Sequence, residues 1–260
     1  MESVIDSFAP LPILYRDEHL VVVYKSSGLL VHRSPIDRLE TVFAMQLVRE
    51  QIGQRVFTVH RLDKPTSGIL LFALSSAAAN EMMHKFQDGL VRKQYVAVVR
   101  GRVMGRGTID HALSDEPDRV AEPNARQDRP AQAAITHYHP LAEVELDVAV
   151  GRYPTSRYSL IALEPEHGRR HQLRRHLRHI FHPIIGDTTH GEGRHNRFFR
   201  MQFNCHRLLL SATGMQFVHP YTHALVNISA PPDTTFTCVS DALGWRHRLA
   251  SLAPVATTPR

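Results

Sequence analysis

Between Val59 and Leu71 the chain reads VHRLDKPTSGILL, and one carboxylate, Asp63, stands in it between Arg61 and Lys64. Cations beside an acid favour its charged form, so Asp63 is predicted to stay ionised, fit to act as a nucleophile or a base and unsuited to giving a proton. Pro65 and Gly68 set a turn, where Thr66 and Ser67 can bond the local backbone. An aspartate that simply closes an Asx turn has the same spacing, so chemistry is one of two readings here. The H-R-D loop of protein kinases is rejected: Leu62 splits Arg61 from Asp63, with no G-x-G-x-x-G ahead and no D-F-G behind.

A second segment, RKQYVAVVRG from Arg92 to Gly101, opens a strand with Tyr95 beside Arg92 and Lys93. Its ring suits either the core or a groove, where an aromatic bounded by cations can stack on a splayed-out base. The third segment is the most basic. From His167 to His182 five arginines and five histidines occur in sixteen residues. Leu173, Leu177 and Ile180 give one narrow apolar stripe, predicting a helix over about 170–180 that buries a single edge and exposes the rest. Like charges so close together repel unless something negative lies opposite, either a phosphate backbone or acids elsewhere in the fold. A metal is not expected, because arginines interleave His171, His176 and His179 and no nearby carboxylate completes a site.

These segments need elements to hold them. His19–Tyr24, Ile69–Leu74 and Tyr95–Val99 are β-branched or alternating runs and read as strands. Helices are predicted over 40–52, closed by Gly53, and from an N-cap at Ser75-Ser76 to Gly89. Residues 101–132 lose periodicity and read as a long surface excursion. Further strands are expected at Ala134–His139, Val144–Val150, Arg157–Leu163, Leu208–Ala212, Met215–His219 and Leu225–Ile228, with a loop running through His195. Strands outnumber helices and many are adjacent, which predicts an α+β fold: a mixed, largely antiparallel central sheet flanked by helices and loops.

Composition narrows the partner. The 260 residues carry 43% apolar and 22% charged side chains, enough for a real core and too ordered for a wholly disordered chain. No apolar run approaches the length of a membrane span, MESVIDSFAP does not resemble a secretory leader, and Cys205 and Cys238 form no C-x-x-C. The expectation is a soluble cytoplasmic protein. Of 31 basic residues only four are lysine, and the net charge is +6. Arginine grips phosphate bidentately and stacks on bases, so the bias suits a nucleic acid, although a GC-rich genome would give the same bias.

At these three segments the sequence resembles the RluA-type pseudouridine synthases. His60-Arg61-Leu62-Asp63 with Thr66-Ser67-Gly68 is similar to that family's catalytic motif, and Arg92-Lys93-Gln94-Tyr95 to its second. Gly168-Arg169-Arg170-His171-Gln172-Leu173-Arg174, then His182-Pro183-Ile184-Ile185-Gly186-Asp187, is similar to its third. The likeness spans about residues 13–233, leaving 1–12 and 234–260 as extensions, and implies the pseudouridine synthase catalytic fold. It departs at Lys25-Ser26-Ser27-Gly28, where the family usually has proline after the lysine, and at Ser211-Ala212.

The resemblance implies isomerisation of uridine in RNA by cleavage of N1–C1′, rotation of the uracil and rejoining through C5. It implies Asp63 as the catalytic aspartate, Arg174 as its guanidinium partner, Tyr95 as the ring that stacks on the flipped uracil, and Arg61 as filler of the gap left behind. Arg169, Arg170, His171 and Arg175 are expected to bind RNA. Within the family the likeness is greatest to members acting on uridine 65 of tRNA, through Val31-His32-Arg33, Val48–Gln54 and Gly151-Arg152-Tyr153. A ribosomal-RNA uridine, or RNA binding without catalysis, are the other readings. A monomer is implied, with no metal, cofactor or membrane partner.

Overall fold

A computed structural model describes residues 9–33, 40–114 and 130–250. In chain order the elements begin with β1 (Ile13–Arg16), β2 (Leu20–Lys25), α1 (Ala44–Ile52), β3 (Phe57–Thr58), β4 (Ser67–Ala73) and α2 (Ser76–Gln87). Next come β5 (Arg92–Arg100), β6 (Gly107–Asp110), β7 (Ile135–Leu146), β8 (Ser156–Pro165), α3 (Gln172–His179) and α4 (Gly193–Phe203). The series ends with β9 (Leu210–Val218), β10 (Leu225–Ser229), α5 (Thr234–Ala242) and α6 (Arg246–Ala250).

The strands form one sheet in the order β1-β2-β4-β9-β5-β8-β7-β6, with β3 also on β4 and β10 also on β9. Every pairing is antiparallel except β4 with β9, so the expected mixed, largely antiparallel sheet is what the chain builds. That parallel seam is short, joining Ser67 to Ser211 and Gly68 to Ala212. Beyond it β4 takes β3 and β9 takes β10, so the sheet divides into two halves held at the seam. Gly68 makes the join possible: its φ is +113°, and a Cβ there would lie 2.1 Å from the Ala212 carbonyl oxygen. Across the seam the Ser67 and Ser211 hydroxyls bond at 3.1 Å.

Helices cover both faces of each half. In the first half, Ala78 and Met82 of α2 pack with Val22 and Leu71, while Leu47 and Val48 of α1 pack with Val21, Val23 and Leu70 on the other side. In the second half, Phe199 of α4 and Phe236 and Val239 of α5 lie on Val96, Val98 and Leu160, and Leu173 and Leu177 of α3 lie on Ala97, Val99 and Ile161. β4, buried along its whole length, reads as a continuous apolar run because it is covered on both faces. Trp245, just past α5, is also buried in the α4 cluster.

Local signals held where they were strong. Ser75 accepts from the Ala78 N–H at 3.1 Å, and Gly53 closes α1 in the left-handed region at φ 67°. Three expectations are corrected. The strands at 134–139 and 144–150 are one strand, β7, whose register slips between Pro140 and Ala142; the irregularity accommodates a proline that has no N–H to give. Likewise 208–212 and 215–219 merge into β9, since Gly214 stays within the ladder against β5 and β10. The loop toward His195 gives way to α4 at Gly193, capped by the Glu192 carboxylate on the His195 N–H at 3.1 Å. The excursion over 101–132 contains β6 and a bridge from Leu113 to Gln132, and 115–129 lie outside the described residues. Among the described residues no helix is long and apolar enough to cross a membrane.

Candidate active site

Asp63 sits in the loop between β3 and β4, one-fifth exposed at 19%. The loop is braced at both ends. The Lys25–Gly28 turn holds it from one side: Gly28 N–H donates to the Lys64 carbonyl at 2.8 Å and the Ser27 hydroxyl to the Pro65 carbonyl at 2.8 Å. Lys25, fully buried, donates through Nζ to the carbonyls of Ser26, Leu29 and Lys64 at 2.9, 2.7 and 3.1 Å. Burial pushes its pKa down to about 7 while Asp63 pulls it up, and three carbonyls match the three donors of the ammonium. On the other side the His60 Nε2 accepts the Leu71 N–H at 2.9 Å, its ring stacked on Phe86.

Burial lowers the His60 pKa from 6.5 to about 3, with Lys93 adding to the effect, so the imidazole is the neutral acceptor this bond requires. An unfolded chain takes up that proton near pH 6.5 and the folded one only near 3, so His60 should erode stability progressively as pH falls across this window. His60→Gln keeps an acceptor without titrating. Its denaturant midpoint is expected to fall less steeply between pH 6.5 and 4 than the parent's; parallel slopes would overturn the assignment.

Arg174 comes to Asp63 from α3, 111 residues along the chain, its Nη1 donating to Asp63 Oδ2 at 3.3 Å. The rest of the guanidinium is taken: Nε and Nη2 donate to the two oxygens of Asp187 at 2.7 and 2.8 Å. Here the structure refines the expectation that Arg174 is the guanidinium partner of Asp63. The fork locks on Asp187, and one remaining N–H meets Asp63. Asp187 also accepts the N–H groups of Thr189 and His190, both at 2.9 Å. Burial alone would raise its pKa, but Arg174 and the backbone donors outweigh this and hold the carboxyl below its usual value. Gly186 presents Asp187 from a turn at φ +81°, where a Cβ would lie 1.9 Å from the Arg207 carbonyl oxygen. Asn196 on α4 fastens the turn, accepting from Gly186 N–H at 2.8 Å and donating to the Asp187 carbonyl at 2.7 Å.

Tyr95 lies half-buried on β5, between Leu163 of β8 and Ala212 of β9, and packs against apolar clusters of both half-sheets. Burial raises its phenol well above the usual range, and the charge of Asp63 raises it further, so the hydroxyl keeps its proton. His171, in the left-handed region at φ 52° just before α3, faces the same cluster and bonds His190 at 3.0 Å. Burial is the main reason its pKa drops to about 4, with Asp63 pulling up and Arg174 pushing down.

The remaining expected residues fall elsewhere. Arg61 is exposed, and beside burial its charge lowers the pKa of His32. Lys64 pairs with Glu40 at 2.9 Å, so the cation placed on Asp63 by the fold is a distant one in sequence. Arg169 Nε donates to the Ala133 carbonyl at 3.1 Å and Arg175 Nη1 to that of Ser114 at 2.9 Å. These two arginines hold backbone within the excursion, at Ser114, and just past it, at Ala133; Arg170 is half-buried nearby in sequence. The expectation that α3 buries a single edge is also corrected. Gln172, Arg174 and His176 are buried as well, with partners that make this tolerable: Gln172 to the Ile135 carbonyl at 2.9 Å, His176 to Thr136 and the His111 carbonyl at 3.0 Å each. Sequence reasoning missed Lys25, Asp187 and Asn196 as parts of this site. The only signal for Asp187 was its place after Ile184-Ile185-Gly186.

A rigid guanidinium beside a partly exposed carboxylate, with a protonated phenol at hand, can hold one negative charge within reach of solvent. Among the described residues no group of three or more histidines, cysteines or acids is placed to hold a metal.

Comparison with known proteins bears on the chain as a whole. The profile of the family described as RNA pseudouridylate synthase matches residues 19–179. A protein of Pectobacterium carotovorum subsp. carotovorum named tRNA pseudouridine synthase C is 52% identical over 236 residues, covering 91% of this chain. The chain spans 63% of the length of that relative. A protein of the same name from Vibrio cholerae is 49% identical over 239 residues, 92% of this chain and 98% of its own. Among solved structures, human RNA pseudouridylate synthase domain containing 1 superposes with a TM-score of 0.66 at 26% identity, covering 85% of this chain and 83% of that one.

Proposed function

The chain belongs to the RNA pseudouridylate synthase family, and from that premise we propose that it converts a uridine of tRNA, at position 65, into pseudouridine, with Asp63 as the catalytic residue. The observation that carries the assignment is the Asp187–Arg174–Asp63 chain, in which a buried carboxylate fixes a guanidinium that in turn meets a partly exposed one. Nothing leaves the enzyme in this reaction: the N1–C1′ bond breaks, the uracil turns, C5 bonds to C1′, the C5 proton departs and N1 gains one. One ionised carboxylate therefore suffices, attacking the sugar or ring or taking the C2′ proton, and the second carboxylate of a glycosidase is not needed.

Arg174 positions Asp63 and keeps it charged. Tyr95 stacks on the uracil once it has swung out. A phenol pushed upward keeps its proton, which favours stacking and hydrogen-bond donation over proton abstraction. Arg61, exposed at the rim, enters the gap the nucleotide leaves, offsetting an unstacking cost of about a few kcal/mol. Arg169, Arg170, His171 and Arg175 lie along the path of the RNA, and Arg169 and Arg175 also hold the backbone at Ala133 and Ser114.

The isomerisation leaves mass unchanged, so the test is a carbodiimide adduct stable on pseudouridine, mapped in tRNA from a strain lacking the gene and in the same tRNA after incubation with the protein. An adduct at position 65 only after incubation is expected. Its appearance in ribosomal RNA and not in tRNA would overturn the substrate assignment.

A further inference from the structure

A second concentration of positive charge lies where β5 ends and β8 begins, at the far end of β5 from Tyr95. Arg100 is five positions beyond Tyr95, or about 17 Å along a strand. Arg100, Arg102, Arg152, Arg157 and Arg194 line an open cleft of about 700 Å³, together with Tyr153 and with no carboxylate among its lining residues. Acids stand behind three of these arginines. Glu143 meets Arg102 at 3.1 Å, Glu145 meets Arg157 at 3.0 Å, and Glu192 meets Arg194 at 3.1 Å. Among the described residues no carboxylate pairs with Arg100 or Arg152. Arg152 instead donates to the Tyr153 hydroxyl at 2.7 Å, its guanidinium 4.9 Å from that ring's centre, and Tyr153 is 57% exposed.

Guanidiniums gathered on an open cleft repel one another, and an anion between them relieves the repulsion. Planar forks match a phosphate bidentately, and an exposed aromatic beside them offers a face to a sugar or base. The loop carrying Arg152 and Tyr153 takes no part in the Asp63 site. We propose that this cleft grips the sugar–phosphate backbone of the substrate RNA at a point remote from the target uridine. The proposal rests on the RNA-isomerase reading and adds a second anchor to it. Backbone contacts of this kind fix orientation and register without reading sequence. The two anchors together would favour a folded tRNA over an isolated stem-loop of the same sequence around the target.

The test compares the parent with R152Q and with R152Q/R194Q, both at exposed positions, by filter binding across a salt series. Probes are full-length tRNA and a stem-loop holding only the arm with the target. Full-length tRNA should bind the double variant about tenfold more weakly, with the slope of log affinity against log salt shallower by about one unit per arginine removed. The single variant should show about half that change in slope. The loss should be confined to full-length tRNA. An unchanged slope, or equal losses on tRNA and stem-loop, overturns the remote contact. Loss of orthophosphate binding with tRNA affinity intact would assign the cleft to a small anion and overturn it too. Whether the parent makes pseudouridine is read separately by the carbodiimide adduct, so a missing adduct counts against the isomerase reading while the salt slope still decides the cleft.

Discussion

Asp63→Asn is expected to reduce pseudouridine formation roughly a thousandfold or more while affinity for tRNA changes little. The amide has nearly the volume of the carboxylate and can still accept the N–H of Arg174, so the loop should keep its shape. What it lacks is the charge that attacks or takes a proton, and no side chain in the cluster replaces it: Tyr95 keeps its proton, and His171, with a pKa of about 4, is a neutral imidazole already engaged with His190. Single-turnover assays with enzyme in excess, alongside binding measurements, separate the two quantities. Turnover within tenfold of the parent would remove Asp63 from the chemistry.

Arg174→Lys is the second large effect, and it should appear in stability as well as rate. A lysine keeps the charge but offers one point where the guanidinium offers a fork. Asp187 is 2% exposed and loses at least one of its two charge-assisted bonds, leaving a buried carboxylate under-served. Breaking such a buried pair costs about 3 kcal/mol, and the ammonium cannot hold Asp187 while also meeting Asp63 at the angle Nη1 does. We expect kcat to fall about a hundredfold, in the range of lost electrostatic stabilisation, with tRNA affinity nearly unchanged because the side chain is only 4% exposed. Urea unfolding and single-turnover kinetics check both parts. Equal losses in rate and affinity would mean that Arg174 contacts phosphate.

The fold class and the elements that carry Asp63, Tyr95 and Arg174 were legible in local pattern (a turn after a charged loop, a β-branched run, a helix with an apolar stripe), whereas the choice of those three residues came from the family resemblance and not from spacing. What was not legible depends on tertiary burial. Lys25 looks like a strand-end lysine until the chain folds three carbonyls around its Nζ. Asp187 gains its meaning from a glycine turn that swings it under Arg174. Charge density singled out Arg169 and Arg175 for RNA, yet it says nothing of the carbonyls of the chain itself, Ala133 and Ser114, to which each also donates. That 134–139 and 144–150 run on as one strand could not be read either, because a slip in register between Pro140 and Ala142 carries the chain across the gap. Helix α4 was hidden because its apolar residues, Phe198, Phe199 and Phe203, sit among arginines and histidines that blur the period.

The two-residue seam between β4 and β9 bears on when activity can arise during synthesis. Asp63 belongs to the first half-sheet, whereas Tyr95, Arg174 and Asp187 belong to the second, and β9 is the strand that stitches them. A nascent polypeptide emerging from the ribosome can pair β2 with β4 and β5 with β8 early, yet has no strand to bridge them until Leu210–Val218 follows. The acid and its guanidinium can thus meet only late, once most of the polypeptide has been made.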